Sequence, residues 1–153
     1  MDTRTKQDLP QGQQIYLEFT QQLLRCSKSF EQEINQRFRK HFNQSFTRFD
    51  LLSQLAKGED PWQSIGKVAN QLLASNGNIT KLVERMSNED LLERRSNRKD
   101  RRLTEISMTM GGRQLHQEMA QAYAEWVQNL MDSRLPATEV LQLNFLLSKA
   151  NSL

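Results

Sequence analysis

Ser64-Ile65-Gly66-Lys67-Val68-Ala69-Asn70-Gln71-Leu72-Leu73-Ala74-Ser75-Asn76-Gly77-Asn78-Ile79-Thr80-Lys81-Leu82-Val83-Glu84-Arg85-Met86 reads as two short helices joined by a tight turn. Ser64 is a good N-cap, because its oxygen can accept a backbone N–H that the first turn leaves unpaired. Val68, Ala69 and Leu72 then face inward, and Leu73-Ala74 makes the turn. Ser75 is expected to cap the second helix, residues 76–88, whose apolar face is Ile79, Leu82, Val83 and Met86. A short helix, a tight turn and a capped second helix form a helix-turn-helix. The outer start of the second helix offers Ser75, Asn76, Asn78, Thr80 and Lys81, with Arg85 one turn on. All can donate hydrogen bonds and none is acidic, as a helix entering a major groove end-on requires.

The texture changes after the second helix. Residues 91–95 and 103–108 read as two strands, the second alternating apolar and polar, and 96–100 as a polar turn. Residues 94–102 hold six basic side chains and one acid, net +5, which exceeds the +3 of the whole chain. A dense charge run is usually just a solvated face. Placed directly after a recognition-type helix, it points instead to a polyanion, with an arginine at the hairpin tip narrow enough for a minor groove. Trp62, after Pro61, is expected to anchor a short strand beside this hairpin.

Upstream, Ser45 caps a helix over 46–57 with Phe49, Leu52 and Leu55 inside, and Gly58-Glu59-Asp60-Pro61 stops it. Before it, Tyr16, Phe19, Leu23, Cys26, Phe30, Ile34 and Phe38 recur every three or four residues, one face of a helix over 13–42. After the hairpin, Thr109 caps a helix over 110–132 with Leu115, Met119, Tyr123, Trp126, Val127 and Leu130 in its stripe. A last helix, 137–149, is apolar on more than one side, which suggests burial against two neighbours or against another chain. Trp126 is expected in that shared core. The predicted fold is mainly α: an N-terminal dimerisation helix (1–44), a winged helix-turn-helix lobe with a small β-hairpin (45–109), and C-terminal dimerisation helices (110–153).

Composition excludes several classes. With 153 residues one domain is expected, and a hydrophobic content of 37% makes a thin core that an oligomer would thicken. No apolar run approaches the ~20 residues of a membrane span, and the first residues lack a signal peptide's apolar stretch, so a cytoplasmic location is expected. A single cysteine excludes an internal disulfide, and His41 and His116 lack ligand-spaced companions, so neither metal nor cofactor is expected. Nor is there a nucleophile elbow or phosphate loop, and no enzyme is expected.

From Ser45 to Gly112 the sequence resembles the MarR family of winged helix-turn-helix regulators. The resemblance is carried by Arg48-Phe49-Asp50-Leu51-Leu52-Ser53-Gln54-Leu55, by the segment from Ser75 to Met86, and by the wing. There Asp100, Arg102, Thr109 and Gly112 fit the family's Asp-x-Arg, strand, Leu-Thr-x-x-Gly pattern, with Met108 in the leucine position. Asp90 stands where the family usually has glycine, a position that Asp tolerates better than most residues, and Met86 replaces a usual leucine. The resemblance implies a homodimer bound to double-stranded operator DNA, usually as a repressor, and often released by a small molecule. It places Ser75, Asn76, Asn78, Thr80, Lys81 and Arg85 on the recognition helix. Arg98, Lys99, Arg101 and Arg102 fall on the wing, with Asp100 orienting Arg102 or the wing backbone.

The family's ligand cleft would fall where the first, second and fifth helices meet. Phe30, Arg48, Phe49, Leu52, His116, Met119 and Tyr123 are the residues expected to line it, with Phe38 and Phe42 nearby. An aromatic wall beside Arg48 and His116 suits a small amphipathic aromatic, such as an aromatic acid or its thioester. Two alternatives differ in kind. One is a Cys26-based redox regulator of the same fold, although Cys26 lies on the apolar stripe as a small buried hydrophobe would. The other is a helical protein–protein adaptor without DNA.

Overall fold

A computed structural model describes residues 10–74 and 77–151. Its elements are α1 (Gln11–Phe42), α2 (Phe46–Lys57), β1 (Gln63–Ser64), α3 (Ile65–Gln71), α4 (Ile79–Asn88), β2 (Leu92–Ser96), β3 (Thr104–Met108), α5 (Met110–Asp132) and α6 (Ala137–Ala150). Three of the expected caps form. Ser45, Ser64 and Thr109 accept the amides of Arg48, Lys67 and Gly112. The α4 helix departs from expectation. It begins at Ile79, and its N-cap is Asn78, whose oxygen accepts the Lys81 amide at 3.0 Å. Ser75 and Asn76 lie outside the described residues.

Two hydrophobic clusters meet at α2. Leu51, Leu52 and Leu55 pack with Val68, Val83, Met86, Leu92 and Ile106 beneath the helix-turn-helix and the sheet. On the other side Phe49 joins Ile34, Phe38 and Met119, flanked by Phe46, Tyr123 and Trp126. Phe38 sits at the centre of this aromatic group, 4.7 Å from the Phe49 ring and 5.2 Å from Trp126. Trp126 therefore packs within its own chain against α1. Because α2 contributes to both clusters, it fixes the helix-turn-helix lobe to the α1–α5 pair. Truncating a core leucine such as Leu52 to alanine costs ~2–5 kcal/mol.

The sheet is antiparallel, ordered β1-β3-β2. Two tight junctions frame it. Asp90 follows α4 with φ 59, so an aspartate occupies the left-handed geometry that favours glycine. Thr109 returns the chain to the same point: its amide donates to Leu91 O at 3.2 Å and its hydroxyl to Asp90 O at 2.6 Å. A Cβ on Gly112 would collide with Leu91 O, which explains glycine in the first turn of α5.

In the single chain the outer half of α1 and most of α6 remain uncovered, with Val140 and Leu147 half-buried. Tyr16 is 74% exposed, Phe145 64% and Leu146 57%, although the helical periodicity had marked both segments as apolar. Cys26, expected to be buried on that stripe, is likewise exposed. Periodicity reports that a face is apolar; it does not say whether the same chain covers it. No described helix is long and apolar enough to cross a membrane.

Candidate nucleic-acid interface

Helix α4 turns Val83 and Met86 into the core and leaves Asn78, Thr80, Lys81 and Arg85 exposed. Asn78, Lys81 and Arg85 fall at three- and four-residue spacing, one side of a helix. Asn78 has its side-chain oxygen committed to the cap, so only its amide hydrogens point outward. A cleft of about 560 Å³ separates this helix from α1 and is bordered by Lys28, Arg39, Lys81 and Arg85.

Two ties that sequence reasoning missed set the pose of α4. At its start, the Asp50 carboxylate, 3% exposed, accepts the amides of Leu73 and Ala74 in the turn, the latter at 2.7 Å. Gln54 donates to its other oxygen at 3.1 Å. The signal was available: an acid inside the apolar run Phe49–Leu52 must find buried donors. At the helix end, Arg48 grips Glu89 through its two terminal guanidinium nitrogens at 2.6 and 2.7 Å. This bond, together with the charge of Arg48, holds the Glu89 carboxyl below the usual carboxylate range against the opposing pull of desolvation. Nothing in the sequence marks a pair 41 residues apart.

The wing is a hairpin with an ordered tip. Asn97 Oδ1 accepts the amides of Lys99 and Asp100 at 2.8 and 2.9 Å, and Asp100 Oδ1 accepts the amide of Arg102 at 3.0 Å. Asp100 thus shapes the wing backbone, as expected of it. Arg98, Lys99, Arg101 and Arg102 are all exposed. Arg95 is not offered in the same way. Its Nε donates to Glu105 at 2.8 Å, and its guanidinium lies 4.2 Å over the Trp62 ring. Trp62 does precede a short strand, β1, which pairs with β3.

The residues expected to line a ligand cleft are dispersed. Phe49 and Met119 fill the aromatic core, and Leu52 lies in the other cluster. Arg48 is engaged with Glu89. His116 stacks 5.7 Å from Phe49 and meets Ser53 Oγ at 3.1 Å. Its burial pushes the imidazole below the usual histidine value. Phe30 and Tyr123 do line one groove, of about 310 Å³, together with Leu23, Cys26, Phe46 and Leu73. Among the described residues no group of three His, Cys, Asp or Glu side chains is placed to hold a metal.

A capped recognition-type helix, a three-stranded sheet with an arginine-rich tip, and long flanking helices define a winged helix-turn-helix protein. More narrowly, the chain has the fold of the MarR-family transcriptional regulators, as three solved structures show. A MarR-family regulator from Silicibacter pomeroyi is 20% identical with a TM-score of 0.78, over 95% of this chain and 100% of that one. BpsR of Bordetella bronchiseptica, described with regulation of its DNA binding by 6-hydroxynicotinic acid, is 22% identical with a TM-score of 0.72, over 87% and 98%. A mutant MarR from E. coli complexed with operator DNA is 20% identical with a TM-score of 0.71, over 84% and 91%. In sequence, the HTH-type transcriptional regulator MhqR of Bacillus subtilis (strain 168) is 33% identical over 91 residues, or 59% of this chain; the match spans 60% of that relative's length. No family model matches the chain. These similar proteins are transcriptional regulators, a class that is not enzymatic.

Proposed function

We propose that the chain is a sequence-specific DNA-binding regulator, acting as a homodimer and repressing transcription until a small aromatic ligand releases it. The observation that carries the reading is the pairing, on one lobe, of an acid-free start to α4 with a wing tip of four exposed cations. The helix suits base edges in a major groove, and the tip suits phosphates and the adjoining minor groove. Two copies set about one helical turn apart would read two half-sites. Asn78, Thr80, Lys81 and Arg85 are assigned to the helix contacts, with Ser75 and Asn76 before it in sequence, and Arg98, Lys99, Arg101 and Arg102 to the wing. The uncovered α1 and α6 faces, with Tyr16, Phe145 and Leu146 mostly exposed, are assigned to the dimer.

The effector is assigned to the Phe30–Tyr123 groove, whose apolar walls suit an aromatic ring. Regulation of BpsR by an aromatic acid favours the same ligand class. Bound there, a ligand would act on the half-site spacing through its differential affinity for two lobe arrangements.

The experiment is a salt series of anisotropy titrations on duplex DNA with Arg102→Ala beside the wild type. Loss of one phosphate contact should weaken all duplexes and reduce the log–log salt slope by about 0.9 per contact. Unchanged affinity and slope would remove the wing from the interface. Light scattering should give about twice the chain mass of 17.9 kDa. A monomer at micromolar concentration would sink the dimer.

A further inference from the structure

We propose that Glu105 is a positioning residue of the wing: its carboxylate holds Arg95 back and fixes the tip, so that the remaining cations meet a duplex in one arrangement. The inference rests on the DNA-binding reading above. Glu105 lies on the central strand β3, directly across from Arg95 on β2 and from Ser64 on β1. Its two oxygens do different work. One accepts Arg95 Nε at 2.8 Å, and the other accepts Asn97 Nδ2 at 2.6 Å. Asn97 then uses its own oxygen to hold the amides of Lys99 and Asp100. A single chain of bonds therefore runs from the middle of the sheet to the tip, and the Trp62 ring closes the far side of Arg95 at 4.2 Å.

Charge alone argues against an acid at this place. In a basic wing a carboxylate weakens the attraction for phosphate, so its removal should tighten binding to any DNA. Positioning predicts the opposite for the preferred sequence. Without Glu105, Arg95 is released as an extra cation that binds any duplex, and the tip loses the bond that orders Asn97. Binding then becomes stronger where it is indiscriminate and weaker where it depends on geometry. Glu93, exposed on β2, supplies the control: its removal changes the charge equally and leaves this chain of bonds intact.

The test compares wild type, Glu105→Ala, Glu105→Gln and Glu93→Ala by fluorescence anisotropy on two duplexes. One is enriched by the wild type from a random pool of about 30 base pairs, room for two half-sites a helical turn apart; the other is its scrambled counterpart. Glu93→Ala should tighten both. Glu105→Ala should tighten the scrambled duplex, steepen its salt slope by about 0.9 for each arginine that reaches a phosphate, and loosen the enriched one. The ratio between the two should fall roughly tenfold, the scale of one lost base-pair preference. Glu105→Gln keeps an acceptor oxygen and should fall between. If Glu105→Ala tightens both duplexes as Glu93→Ala does, the positioning role is overturned while DNA binding stands. Should the alanine variant fail to fold, an unchanged ratio in Glu105→Gln overturns it equally. A wild type that enriches no sequence overturns the underlying DNA reading instead.

Discussion

The Asp50 carboxylate accepts the backbone amide of Ala74 at 2.7 Å, joining α2 to the turn before the recognition-type helix across 24 residues. The Leu73 amide shares the same oxygen. Replacing Asp50 with alanine strands the buried Ala74 amide, at ~1–3 kcal/mol, whereas water can reach the amide of the exposed Leu73. Asparagine keeps one acceptor oxygen and should cost less. Urea denaturation measures both, and an alanine variant as stable as the wild type would show that the tie contributes nothing.

Asn78 has two potential duties that substitution can separate. As the N-cap of α4 its loss to alanine should cost ~0.5–2 kcal/mol of stability in addition to any change in DNA binding. Asn78→Ser keeps the cap and removes the amide hydrogens, so its effect on sequence preference is free of the stability term. Lys81→Ala, outside the cap, should shift preference by ~1–3 kcal/mol if the side chain meets a base edge. Binding selections on both variants, set beside melting curves, tell the two effects apart.

Asp90 at φ 59 makes a backbone prediction. Alanine lacks the short polar chain that eases the left-handed region, so Asp90→Ala should destabilise by ~1 kcal/mol. Asp90→Gly should match or exceed the wild type. An alanine variant as stable as the glycine one would mean that the junction relaxes elsewhere.

His116 ties stability to pH. Burial places its folded value below the usual ~6.5 of an exposed imidazole. The unfolded chain then takes up its proton first as pH falls. The stabilisation is complete above that ordinary value, and it is lost as pH drops from there through the folded one. His116→Gln should flatten the stability profile between about pH 7 and pH 5. A profile with the same slope in the variant would assign the titration to another group.

Legibility followed the range of the interaction. Ser45, Ser64 and Thr109 were readable as caps because a cap and its amide lie three residues apart. The same logic misled at Ser75, where Asn78 lay closer to the first turn and took the cap. Arg48 illustrates the limit. Its arginine suggested an anionic ligand, yet its partner Glu89 sits far along the chain with no pattern to announce it. The aromatic residues of α1, α2 and α5 were correctly placed at one junction. Which of them fill it and which border open space depends on side-chain packing that spacing alone does not encode: Phe30, Phe46 and Tyr123 reach the groove, while Phe38 and Phe49 are buried.

The chain leaves α4 at Asp90 and Leu91 and comes back to those same two residues at Thr109, whose amide and hydroxyl fasten the return. The wing is thus an excursion with its two ends stapled together. Leu92 and Ile106 at its base are locked in the core, so what can vary is the tip beyond Ser96 and Thr104, where the entropy of closing a longer loop grows only slowly with its length. The arginine-rich tip is in this sense an interchangeable cartridge, one that evolution or an engineer can swap to retune grip on a polyanion without disturbing the strands that carry it.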